Sequence, residues 1–269
     1  MKRFVNFNFI CGLALTSIIS VLCIWGLIGT PYDAEKMDPT LKLAAPSFTH
    51  IMGCDQFGRD VFSRVLEGAG NTFLVAMGTI LIGVIFGIII GGFCGYYGGP
   101  VDEIIMRAND AVLAFPGVFL ALVVISVIGS GKYNVIIALG IAFIPSFARM
   151  VRSEFMKQKD RDYVTNARLM KVPAIRTMFV HILPNCVPVL LSSMVIGFNN
   201  AVLAEAGLSY LGIGVQPPDA SLGAMLSEAQ TYLYSAPHLA IFPGVIMVIM
   251  ILGLSLLSDG ITAANKSSK

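Results

Sequence analysis

Long apolar runs separated by short polar or charged stretches set the pattern of this chain: Ile10–Gly29, Thr72–Cys94, Asp110–Gly129, Asn134–Met150, Cys186–Ala204 and Leu239–Leu257. A helix needs roughly 20 predominantly apolar residues to cross a bilayer core. The six runs therefore predict an all-α integral membrane protein with about six transmembrane helices. Gly and Pro interrupt several runs, which membrane helices tolerate because neighbouring helices re-satisfy the backbone. Composition agrees, since 56% of the 269 residues are hydrophobic and only 13% charged, with a mean hydropathy of +0.79. That is too apolar for a water-soluble domain of this length. The first run follows Lys2 and Arg3 as a secretory signal would, yet it is long and lacks a small-x-small site before Pro31, so an uncleaved first helix is expected.

Charge placement orients the spans. If they alternate, Lys2, Arg3, Arg107, Arg149, Arg152, Lys157, Lys159, Arg161, Arg168, Lys171, Arg176, Lys266 and Lys269 fall on one side, and Lys36, Lys42, Arg59, Arg64 and Lys132 on the other. The richer side is expected to be cytoplasmic. Both termini then lie inside, the segment 149–184 is one large cytoplasmic loop, and Glu205–His238, without Lys or Arg, faces out. The organisation expected is a first helix with an external amphipathic segment over 1–70, followed by a core over 71–269. Within the external part, Phe57–Leu66 has the pattern of an interfacial helix, with Phe57, Val61 and Val65 on one face.

Several chemistries find no support. The formal charge of +2 is small and dispersed, which gives no nucleic-acid footprint. Cys11, Cys23, Cys54, Cys94 and Cys186 form no CxxC or Cys/His pattern and read as small buried hydrophobes, so no metal site is expected. Gly129-Ser130-Gly131-Lys132 lacks the first Gly and the final Ser or Thr of a phosphate-binding loop, because Ser126 and Tyr133 stand there. His50, His181 and His238 are separated by topology, which leaves no catalytic constellation.

Inside the spans, Gly83, Gly87, Gly91, Gly95 and Gly99 recur every four residues and line one helical face, along which another helix can approach closely. The contact is either ordinary packing within the subunit or a sliding surface along a transport path. Asp110 and Glu205 sit at span ends, and Asp110 is expected to pair with Arg107 three residues before it. Asn199 and Asn200 either line a polar passage or hydrogen-bond between helices. Ion-coupled carriers usually carry intramembrane carboxylates or His relays. Their near absence disfavours a secondary transporter, which collapse of the proton gradient at high ATP would reveal.

The segment 149–184 reads as two short amphipathic helices with a break between them. Tyr163, Ala167 and Met170 share one face of the first, and Ile175, Phe179 and Ile182 one face of the second. Pro173 suits an early helical position and Pro184 is expected to stop the second helix before the fifth span. Such helices either lie on lipid headgroups or dock into a groove of a soluble partner, and the pattern leaves both open.

The residues Asp162-Tyr163-Val164-Thr165-Asn166-Ala167-Arg168, followed by His181-Ile182-Leu183-Pro184-Asn185, resemble the coupling loop of ABC importer permeases, of general form E-A-A-x3-G-x9-I-x-L-P. The ending resembles the dipeptide, oligopeptide and nickel branch. Gly53-Cys54-Asp55-Gln56-Phe57-Gly58-Arg59-Asp60, Gly95-Tyr96-Tyr97-Gly98-Gly99-Pro100, Leu208-Ser209-Tyr210-Leu211-Gly212-Ile213-Gly214-Val215-Gln216-Pro217-Pro218 and Leu257-Ser258-Asp259-Gly260 match that branch in order and spacing. Thr165 and Asn166 replace the Glu and first Ala of the motif, and Lys171 replaces its Gly, which ordinarily takes a left-handed conformation.

The resemblance implies a type I ABC importer permease, the shorter of a pair, in a bacterial cytoplasmic membrane. It implies a second homologous permease, two cytoplasmic ATPase subunits carrying ATP and Mg2+, and an extracytoplasmic solute-binding protein; no cofactor is implied in this chain. Arg161, Asp162, Tyr163, Thr165, Asn166, Ala167, Arg168, Lys171, Arg176 and Pro184 become the expected ATPase-coupling residues. Peptides are the expected cargo, and nickel or a metal chelate the alternative.

Overall fold

The computed structural model describes residues 7–266, with side chains described through Gly260. Lys2, Arg3 and Lys269, used above for orientation, lie outside the described residues, as does the side chain of Lys266. All regular structure among the described residues is helical: α1 (Phe7–Ile28), α2 (Val61–Tyr97), α3 (Gly99–Leu113), α4 (Gly117–Ile128), α5 (Lys132–Gln158), α6 (Asp162–Leu169), α7 (Ala174–Arg176), α8 (Leu183–Tyr210), α9 (Leu222–Ala229) and α10 (His238–Lys266), with short 3-10 turns between. Five helices are long and apolar enough to cross a membrane, and the bent pair α3 and α4 makes a sixth candidate.

That bent pair changes the third expected span. Asp110–Gly129 is not one helix, because α3 and α4 meet at 89° across residues 114–116. Pro116 explains the break: its ring disfavours helical geometry at Phe115 and suits the start of the next helix. Pro184 does the opposite of what its residue type predicts. Ala174–Tyr210 runs through it as one apolar helix, and the missing N–H is absorbed by a π-helical stretch at Thr177–Ile182. Leu183 there donates to the carbonyl of Met178, five residues back, the wider ring that defines a π turn.

The chain divides into two compact units. One gathers the described residues through Met77, Ile125–Ile136, and those from Asn199 onward; the other is Gly78–Val124 with Ile137–Phe198. In the first unit, α1 and α10 meet along glycines. A Cβ added at Gly12 would collide with the Leu257 backbone, and one at Gly260 would reach Phe9 at 2.7 Å. Apolar Val61, Val65, Met225, Ala229 and Leu239 form a core between α2, α9 and α10.

The expected interfacial helix at Phe57–Leu66 is instead a turn followed by the first residues of α2. Asp60 caps α2, accepting from the Ser63 N–H at 2.7 Å, and its other oxygen meets His50 Nδ1 at 2.9 Å. A side-chain cap satisfies an amide that would otherwise be orphaned. Val61 and Val65 turn into protein, not lipid, both being buried.

In the second unit the glycine row of α2 faces α5. A Cβ added at Gly83, Gly87 or Gly95 would come within 3.0, 2.5 or 2.7 Å of α5 atoms, and one at Gly91 would collide with the Ala148 carbonyl. The row is therefore a packing seam within the subunit. Gly99 does not belong to it: it lies beyond α2 with φ at 74° and open space around it.

Candidate functional site

The segment expected to couple to an ATPase belongs to the second unit, and its non-spanning part is shorter than the expected 149–184. α5 continues through Arg149, Arg152 and Lys157 to Gln158, and helix resumes at Ala174, so α6 and its flanking turns are all that remain between two long helices. Asp162 in the first turn of α6 and Arg168 in the last complement the helix dipole.

The buried face of α6 is Val164 and Ala167, while Tyr163 and Met170, expected on that face, are exposed. Eight residues make barely two turns, so which two apolar positions face inward is set by the entry angle at Arg161, which is extended with φ −75° and ψ 150°. Tyr163 instead donates its hydroxyl to Gln158 Oε1 at 3.0 Å, and partial burial pushes its phenol above the ordinary value. In the second short helix Thr177, Met178 and Ile182 are buried and Ile175 is exposed.

Lys171 keeps the geometry of the glycine it replaces, with φ at 54°. Its N–H donates to Arg168 O at 2.9 Å and the next N–H, of Val172, to Ala167 O at 3.0 Å. Those two bonds are a Schellman end, which satisfies carbonyls the helix leaves free. The turn pushes Leu169 and Met170 outward, at 76% and 79% exposed, with Ile175 at 62%. Arg161, Thr165, Asn166, Arg168, Lys171, Arg176 and Pro184 are all exposed. Large apolar side chains are thus exposed close in sequence to the cations Arg168, Lys171 and Arg176.

Arg168 also has an inward attachment, its guanidinium lying 5.1 Å from the centroid of Tyr96 at the end of α2. Tyr96 stands edge-on to Tyr97 at 5.2 Å, Tyr97 stacks on Phe93 at 6.1 Å, and Phe93 meets Phe179 of the π-helical stretch at 6.4 Å. This aromatic chain joins α6 and the π turn to α2.

The two candidate pathway residues separate. Asn199 donates to Ser255 Oγ at 2.7 Å, an interhelical bond, while Asn200 is exposed. Asp110 pairs with Arg149 of α5 and not with Arg107, because Arg107 turns to Glu103 one turn back at 3.7 Å. Sequence reasoning placed Glu205 at a span end. It is fully buried in the first unit, accepting from Thr72 Oγ1 at 2.9 Å and Ser209 Oγ at 2.6 Å. Nearby, Ala220 is held by its N–H to Glu67 at 3.1 Å and its carbonyl to Asn71 at 2.8 Å, and Lys132 reaches Asp219 at 3.1 Å. The spacing of Glu67, Asn71 and Thr72 on one face of α2 was the available signal.

The chain matches the family described as the binding-protein-dependent transport system inner membrane component over residues 70–267. It is 40% identical over 256 residues to the glutathione transport system permease protein GsiD of Pectobacterium atrosepticum, covering 94% of this chain and 84% of that protein. It is 34% identical over 265 residues to the dipeptide transport system permease protein DppC of Haemophilus influenzae, covering 96% and 90%. In fold it is similar to a chain of the inward-facing MetNI methionine ABC transporter, with a TM-score of 0.60 at 15% identity over 76% of this chain and 96% of that one.

Proposed function

Because the chain belongs to the family of binding-protein-dependent transport system inner membrane components, we propose that it is the permease of a peptide importer, gripped by an ATPase at the tip of α6. Membership makes it a multi-pass inner-membrane permease that works with ATPase and binding-protein subunits, a transport component and not an enzyme. The finer reading has two ATPases, with ATP and Mg2+ on them, and a second homologous permease lining the passage with this one. Both termini and α6 face the cytoplasm, with residues 1–70 as an entry helix and outer segment and 71–269 as the core.

One observation carries the coupling role: α6 buries Val164 and Ala167 while its Schellman turn projects Leu169 and Met170 into solvent. A helix seated on one side and apolar on the other fits a helix-in-groove contact. ATP-driven closure of the ATPases would displace that tip, and the long helices on either side, α5 and Ala174–Tyr210, would carry the displacement into the bilayer. This is a switch between two packed arrangements, not a continuous flexing.

The peptide reading follows the relatives, which are named for dipeptide and glutathione transport. A strain lacking this gene and complemented by it should regain uptake of labelled dialanine or labelled glutathione; restored 63Ni uptake with neither peptide would overturn the cargo. For the docking, a Leu169→Cys permease should cross-link to the ATPase subunit in the assembled transporter, and failure to do so would overturn it.

A further inference from the structure

The second unit contains a polar contact between two helices that is more directional than apolar packing. Asp102 of α3 is buried and receives both Nε and Nη2 of Arg152 from α5, at 2.5 and 2.6 Å. Two parallel charge-assisted bonds fix orientation as well as distance. Seven residues further along α3, the buried Asn109 donates to the carbonyl of Pro145 at 3.1 Å, and its neighbour Asp110 takes Arg149. Positions 102, 109 and 110 share one face of α3, and 145, 149 and 152 share one face of α5. The remaining charges on α3, Glu103 and Arg107, pair with each other at the surface.

The position of this clasp in the chain gives it a role. α5 ends at Gln158, with only three residues between it and the start of α6 at Asp162. α3 ends at the 89° corner that leads into α4. We propose that the Asp102–Arg152 clasp makes α3 and α5 a single rigid body, so that a displacement imposed on α6 is delivered to the corner at 114–116. Asp102 and Arg152 are positioning residues for transport. The inference rests on the reading of α6 as the element an ATPase grips.

The test uses the assembled transporter in nanodiscs. Cys11 is changed to Ala, since the other four native thiols are buried. Nitroxide labels are placed at Glu103→Cys on α3 and Lys157→Cys on α5, two side chains that are well exposed. Pulsed EPR should give one narrow distance that is the same without nucleotide and after ATP–vanadate trapping. In Asp102→Ala, with the ATPase subunits still co-purifying, the distance should broaden or shift between the two states by about 5 Å, the rise of one helical turn. The exchanged pair Asp102→Arg with Arg152→Asp should restore the narrow distance. A distance unchanged in Asp102→Ala, a shift of that size already present in the unsubstituted pair, loss of the ATPases in Asp102→Ala, or an exchanged pair that stays broad would each overturn the clasp. Failure of the docking reading is seen separately, as absence of the Leu169→Cys cross-link with Asp102 and Arg152 intact.

Discussion

The guanidinium of Arg168 sits 5.1 Å above the ring of Tyr96, so a cation on the short helix α6 is anchored on an aromatic at the end of α2. Exposed cation–π pairs contribute about 0.5–1 kcal/mol, enough to bias the seat of an eight-residue helix. Tyr96→Phe should be silent. Tyr96→Leu and Arg168→Gln should each loosen α6, and a double-mutant cycle on SDS-induced unfolding should return a coupling of about 0.5–1 kcal/mol. Arg168→Glu should lower uptake with the ATPases still bound; normal uptake at a normal hydrolysis rate would remove Arg168 from the coupling path.

Lys171 is held at φ 54°, where a side chain costs on the order of 1 kcal/mol relative to Gly. Lys171→Gly should therefore raise the stability of the α6 turn by about 1 kcal/mol. Lys171→Val, β-branched at the same backbone angle, should lower it. Limited proteolysis between α6 and α7 reads both changes.

Glycine substitutions should divide by what faces them. Gly87→Ala and Gly95→Ala bring a methyl within 2.5 and 2.7 Å of α5 and should reduce the yield of assembled transporter several-fold. Gly207→Ala, in the last turn of α8 with open space beside it, should leave the yield unchanged and stabilise the helix by at most about 1 kcal/mol. Equal yields for all three would contradict the seam.

Thiol chemistry gives a pH prediction. Burial, with Asp60 and Asp55 adding to it, pushes the Cys54 thiol up to about 11. The folded form thus holds its proton above the ordinary thiol range. By linkage, stability from this group is complete below the ordinary value near 9 and is lost as pH rises toward about 11. At pH 7.5 an impermeant maleimide added to intact cells should leave Cys54 unlabelled. The same reagent should label an introduced Ser47→Cys and spare Thr165→Cys; labelling of Thr165→Cys from outside would invert the orientation.

The sequence makes the spans legible because membrane solvent enforces long apolar runs, and five of the six expected runs each fall on a single long helix, the first running one residue past its end at Ile28. The exceptions are proline effects decided by context. Pro116 breaks a run because α3 turns polar and is gripped by α5, whereas Pro184 is carried through by a π turn that no periodicity announces. The α6 segment stood out by motif, and the structure shows that Lys171 keeps the left-handed turn of the glycine it replaces. The buried face of α6 was not legible, since eight residues give too little period to choose between Val164 and Tyr163. Asp110 was assigned to Arg107 by proximity along the helix, but Arg149, thirty-nine residues on, wins through tertiary placement. Glu205 shows the same limit: a carboxylate at a span end looks solvated until Thr72 and Ser209 are seen to enclose it.

The seam between α2 and α5 is built from hydrogen atoms on one side. Any single-base missense change in a glycine codon introduces at least one carbon where Gly87 or Gly91 now stands, so that flank has no neutral variant to explore. Divergence at this contact must be led by α5, through residues such as Phe147 and Val151, and paralogous importers should differ there while leaving the α2 flank bare.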